Sequence, residues 1–205
     1  MATILQGWAL AGHGQGEEGS TKIRQGWAVF RAAGAEWGGS CWPALLAEAY
    51  GKAEQLEEGL VALAEALATA DKTGEHFWEA ELYRLKGEMT LAQSSVQGLG
   101  ASVKKGSRFK IQRSTSRNPG TRHLTPHTQA EVEAEACFHR AIEVAQHQQA
   151  KSLELRATVS LARLWQWQGK KKPARRMLAK IYGWFTEGFD TKDLQEAKAL
   201  LEELT

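Results

Sequence analysis

Short stretches of this chain recur in register, and that recurrence restricts the fold more than any composition figure does. GHGQGEEG at Gly12–Gly19 aligns with KAEQLEEG at Lys52–Gly59, and the slot returns as VEAEACFHRA from Val132 and KKPARRMLAK from Lys171. Small residues at Gly19, Gly59, Ala134 and Ala174 anchor the four copies, spaced 40, 75 and 40 residues apart. A fixed period of this size signals stacked helix pairs, each burying its apolar face only against its neighbours. The expected fold class is all-α: an α-solenoid of antiparallel helix pairs with a C-terminal capping helix.

Helical periodicity predicts helices near 2–12, 17–34, 42–53, 56–73, 75–92, 130–148, 150–168, 172–187 and 191–204. Gly34 and Gly74 stand where left-handed C-caps belong, and Pro173 suits a first helical turn. Asp190 with Asp193 reads as the start of the last helix. Leu194, Ala197, Leu200 or Leu201, and Leu204 then form the apolar stripe of a terminal cap.

The doubled spacing has a local cause. Residues 93–129 are rich in Ser, Gly and Thr, hold Pro119 and Pro126, and show no sustained period. The expected organisation is therefore repeats 1 and 2 and the first helix of repeat 3 over 1–92, a disordered basic insertion over 93–129, and the second helix of repeat 3, repeat 4 and the cap over 130–205. Lys104, Lys105, Arg108, Lys110, Arg113, Arg117 and Arg122 give the insertion seven positive charges and no carboxylate. The overall charge of +2 thus divides into a basic tether and an array of net charge −5. Counterion release would allow the tether to meet nucleic acid or anionic lipid. With Phe109 as its single aromatic, the simpler reading is a solvated loop, and nucleic acid is disfavoured as a partner.

Other classes are set aside by specific absences in the sequence. Cys41 and Cys137 are isolated, without metal-ligand spacing or a disulfide framework. The N-terminus lacks a signal-peptide pattern, and no apolar run reaches membrane-spanning length, so a cytoplasmic protein that spans no membrane is expected. Gly14-Gln15-Gly16-Glu17-Glu18-Gly19 satisfies G-x-G-x-x-G, but a helix precedes it and Glu17–Glu18 would repel phosphate, so an inter-helix turn is the reading. No phosphate loop, His-Glu-x-x-His or nucleophile–base pair is present; no catalysis, cofactor or metal is expected. Trp8, Trp27, Trp42, Trp78, Trp165 and Trp184 recur at repeat positions, which points to inter-helix packing.

The repeat positions resemble tetratricopeptide repeats. Leu46–Ala47–Tyr50 with Gly59–Leu63–Ala66 carries the pattern, as do Leu161–Ala162–Trp165 with Ala174–Leu178–Ile181 and Tyr83–Gly87 with Ala134–Phe138–Ala141. Gly7–Leu10 with Gly19–Ile23–Gly26 is a divergent first copy. EAELYRLKGEM at Glu79–Met89, QQAKSLELRATVSLARLWQWQGK at Gln148–Lys170 and YGWFTEGFDTKDLQEAKALLEEL at Tyr182–Leu204 also resemble the C-terminal region of large bacterial predicted ATPases. In that family a nucleotidyl-cyclase or kinase domain and an AAA-like ATPase often precede the repeats. The resemblance implies a regulatory or scaffolding part of a larger signalling protein, with a fragment of a multidomain adenylate/guanylate cyclase or AAA-like ATPase as the alternative. Met1 falls within what should be a longer first helix, so a fragment or stand-alone remnant is expected.

The expected partner is another protein or an upstream domain of the same polypeptide, held on the concave face that first helices line. With Leu46, Ala47 and Tyr50 packing inward, Glu48 and Lys52 should face the groove. The same offset selects Arg163 and Trp167 in the fourth repeat and Arg84 with Glu88 in the third. Trp167 has the character of an anchor, because Trp165 fills the aromatic packing slot and residues two apart do not share a helix face.

Overall fold

A computed structural model describes residues 1–34, 41–100 and 128–205. The described residues form α1 (Ala2–Gly12), α2 (Gly16–Ala32), α3 (Cys41–Lys52), α4 (Leu56–Thr73), α5 (Glu79–Gly100), α6 (Gln129–His147), α7 (Lys151–Trp167), α8 (Lys171–Tyr182) and α9 (Lys192–Glu203). A 3₁₀ turn at His76–Trp78 precedes α5, and no strand occurs among the described residues. The expected all-α solenoid is what the chain forms.

Helices pair in sequence, α1 with α2, α3 with α4, α5 with α6 and α7 with α8, and each pair packs on the next. The odd-numbered helices also touch one another in succession, from α1 through α9, which makes them the inner layer; α9 covers both α7 and α8. Leu194, Ala197, Leu200 and Leu204 join the core of that last pair, as a cap requires.

The 40-residue period is written in backbone conformation as well as in side chains. The turn inside a pair takes positive φ at Gly14, Glu54 and Gly169, and the turn between pairs takes it at Gly34, Gly74, Gln149 and Gly188. Glycine enters this region freely, whereas Glu54 and Gln149 hold it against side-chain crowding.

The small anchor residues allow close approach. A Cβ on Gly19 would stand 2.5 Å from the Gly7 carbonyl oxygen, and one on Gly87 would stand 2.6 Å from the Phe138 ring, itself fully buried. Gly16 lies against the Ala53 backbone nitrogen, 2.8 Å from its would-be Cβ. Each glycine of the G-x-G-x-x-G stretch thus meets a packing or turn requirement.

Several expectations change. α5 continues through 93–100 instead of ending at 92, and Ser95 Oγ donates to the Leu91 carbonyl one turn back. The rest of the expected insertion, 101–127, lies outside the described residues. α8 stops at Tyr182 and not at 187; a turn through Gly183 and Gly188 (φ +75°) follows it. The N-cap of α9 is Thr191, not Asp190, whose carbonyl accepts from Gln195 Nε2 instead. Trp42 is buried; Trp8 is exposed but bridges α1 to α3 through its indole N–H, and Trp184 is exposed and not the packing residue expected.

Candidate protein-binding groove

Helix α5 places its apolar residues Ala80, Leu82, Leu85 and Met89 in the core and leaves Glu81, Arg84 and Glu88 on the side facing α7. Arg84 is nevertheless buried. Its Nε and Nη2 donate to Glu81 at 2.8 and 2.7 Å, and its Nη1 pairs with Glu88. Burial works against the charge, but the Glu81 and Glu88 carboxylates outweigh it and hold the guanidinium more firmly protonated than usual. From α7, Arg156 reaches Glu81 at 2.8 Å and Ser160 Oγ donates to Glu88 at 2.8 Å.

On α3, Glu48 accepts from the Trp8 indole at 2.8 Å and pairs with Lys52 at 2.9 Å. Burial raises its carboxyl, yet the indole N–H and the Lys52 ammonium prevail and hold it below its ordinary range. Further along, Arg163 of α7 pairs with Glu196 of α9 at 2.9 Å.

Two adjoining depressions run between these helices. One, of about 300 Å³ between α3 and α5, is lined by Glu48, Lys52, Leu56, Arg84, Leu85, Glu88 and Met89 among others. The second, of about 650 Å³, lies between α5, the start of α6 and α7. Leu91, Phe138, Leu164 and Trp167 supply its apolar wall, and Glu88, Glu131, Ser160 and Arg163 its polar one. Glu88 borders both. The six residues selected from sequence all fall on these walls, with different roles. Arg84 is a buried brace between carboxylates, Glu48, Lys52, Glu88 and Arg163 are paired at the surface, and Trp167 stands 73% exposed.

Trp165 is its counterpart. It is part-buried against the cores around Phe138 and Leu178, and its Nε1 donates to Glu135 at 2.7 Å.

Part of the larger depression has no counterpart in the groove read from sequence. Ser94 and Ser95 line it because α5 runs past 92. Thr128 and Glu131 line it from a capping box: Thr128 Oγ1 accepts from the Glu131 backbone N–H at 3.3 Å and donates to its carboxylate at 3.1 Å. That Thr-x-x-Glu spacing was available in the sequence. Glu131 also accepts from Gln168 Nε2 at 3.3 Å, which ties the start of α6 to the end of α7.

Both thiols are shielded. Burial, reinforced by the negative charge of Glu75, pushes Cys41 up to about 11, and burial raises Cys137 as well.

No family model matches the sequence, and no curated protein matches it. Among solved structures, it is similar to the nearly identical TPR-like repeats of a kinesin light chain candidate from Podosopora anserina. The likeness has a TM-score of 0.61 at 15% identity and covers 99% of this chain and 83% of that one. A methionine-substituted form of those repeats gives a TM-score of 0.60 at 16% identity, over 99% of this chain and 91% of the other. The fold is therefore that of a TPR-like α-solenoid.

Proposed function

We propose that this array is a protein-interaction module that takes a segment of another polypeptide, or of another domain of its own, along the groove between its inner helices. The observation that carries the reading is Trp167, a large apolar side chain left in water beside Leu91, Leu164 and Arg163 at the mouth of the larger depression. Isolated surface apolar residues are ordinary, but an exposed Trp on the wall of an apolar concavity next to Arg is the type of anchor that concentrates binding energy. The concave layer of a repeat array also offers the extended surface such partners use.

The stretches at Glu79–Met89, Gln148–Lys170 and Tyr182–Leu204 support a regulatory placement within a larger signalling protein of the predicted-ATPase or cyclase kind. In that setting the module does no chemistry itself.

Partner capture from native cells with Trp167→Ala and Trp165→Ala proteins tests the reading. Trp167→Ala is expected to keep its melting temperature and lose captured protein. Trp165→Ala is expected to lose stability, through its core contacts and its bond to Glu135. Unfolding of Trp167→Ala, or capture by it equal to wild type, refutes the assignment.

A further inference from the structure

The sequence of α8, KKPARRMLAKIY, holds five cations and no carboxylate, alone in this among the outer helices α2, α4, α6 and α8. Wound at 3.6 residues per turn, Ala174, Leu178 and Ile181 fall on one buried stripe. Lys172, Arg175, Arg176 and Lys180 spread across the opposite half of the helix and Lys171 lies beside the stripe, all exposed. Lys171 donates to the Glu203 carbonyl at 3.1 Å; Lys172, Arg175, Arg176 and Lys180 have no ion pair or hydrogen bond among the described residues. This contrasts with the inner helices, where Arg84, Arg156 and Arg163 are each neutralised by a carboxylate.

The shape of the face narrows the partner. Helical geometry places Lys172 in the first turn and exposed Ala179 in the third near the middle of the cationic arc, with Lys171 and Arg175 on one flank and Arg176 and Lys180 on the other. Ala179 at the centre of the C-terminal half lets a second backbone come close there, while Arg175, Arg176 and Lys180 reach around it. The patch is also short: twelve residues, or about 18 Å. A carboxylate borders it, Glu135 of α6, 3.7 Å from Lys170, while Lys171 at its start is tied to the Glu203 backbone carbonyl. A duplex or a lipid surface would extend over that carboxylate, and the exposed Trp184 just past α8 is engaged by Phe185 and Lys151. From this geometry we infer that the outer face of α8 docks an acidic helical segment of a partner protein. The surface is separate from the inner groove and stands independently of the function proposed there.

A fluorescent alanine-based helical peptide with glutamates along one face serves as the probe, and its lysine counterpart as the control. Fluorescence anisotropy with the full chain across a salt series is expected to show binding of the glutamate peptide alone, weakening as salt rises. Arg175→Glu with Arg176→Glu should lower that affinity about tenfold, and Lys72→Glu on α4 should not change it. Ala179→Gln, which leaves the charge intact, should lower it several-fold. Circular dichroism reports whether each protein is folded, and Arg175→Gln with Arg176→Gln serves if the charge reversal is not. Peptide affinity insensitive to both double changes, or to Ala179→Gln, overturns the inference. Tighter retention on duplex DNA or on phosphatidylserine vesicles than on the peptide, abolished by the same double change, overturns it in favour of that polyanion.

Discussion

Replacing Gly19 with alanine should force the first helix pair apart. The new Cβ would stand 2.5 Å from the Gly7 carbonyl oxygen and 2.8 Å from the Ala11 backbone nitrogen. Both neighbours are main chain, so no rotamer change relieves the contact and α1 must move as a body. Overpacking of this kind costs about 3 kcal/mol at the upper end, and the better helix propensity of alanine returns about 1, leaving roughly 2 kcal/mol of destabilisation. Gly12 supplies the control: a Cβ there meets nothing within 4 Å, so Gly12→Ala should be neutral or stabilise by up to about 1 kcal/mol. Hydrogen exchange of peptides from α1 and α2 is the suitable assay, because repeat arrays unfold locally and a global melt can hide an end pair. Gly19→Ala should speed exchange throughout α1 and α2 and leave α7 and α8 untouched. Equal effects of the two substitutions would refute the packing account of Gly19. So would unchanged exchange accompanied by loss of measurable dinucleotide binding, which would return the G-x-G-x-x-G stretch to a phosphate role.

Three further outcomes are expected. Glu54→Gly and Gln149→Gly, which remove side chains from positive φ, should each raise stability by about 0.5–1 kcal/mol in urea unfolding; a loss at either site would mean that the side chain contributes more than the backbone strain it imposes. The Glu48 carboxyl is held below its ordinary value in the folded chain, so its contribution is present above the unfolded value near 4.5 and fades as pH falls through the lower folded one. Melting temperature against pH should therefore fall below that range, and Trp8→Phe should flatten the fall; an unchanged profile would exclude the indole as a cause. Cys41, pushed up to about 11, should react with iodoacetamide at neutral pH far more slowly than a free thiol, and labelling at the rate of glutathione would contradict its shielding.

The repeat anchors were the most legible part of this chain, for a physical reason. Gly19 sits where two helix backbones nearly touch, Gly59 and Gly87 receive the Met89 and Phe138 side chains, and Ala134 is fully buried, so the lack of space appears directly as small residues at fixed spacing. The ends of α5 and α8 were less legible. Ser94 and Ser95 resemble loop residues, yet Ser95 is satisfied by its own helix backbone. The run after Tyr182 has helical composition but turns, with Trp184 packing edge-on against Phe185. Helical offset alone selected Glu48, Lys52, Arg84, Glu88, Arg163 and Trp167, and these line the two depressions. What each does there was hidden, because Arg84 and Glu81 look like any surface pair three residues apart until α7 packs over them and brings Arg156 onto Glu81.

The polar links across the inner layer also have a mechanical meaning. Trp8 to Glu48 joins α1 to α3, Arg156 to Glu81 and Ser160 to Glu88 join α7 to α5, and Arg163 to Glu196 joins α7 to α9. They act as struts that set the rest length of a spring on its inner curve. Between α3 and α5 the joint is apolar, with Ala44 and Ala47 in one cluster with Leu82, Leu85 and Met89. Salt screens the more exposed ionic struts and leaves this joint unchanged. Rising ionic strength should therefore loosen the coil unevenly, mostly between α7 and α9, where Arg163 and Glu196 form the most exposed of these ion pairs.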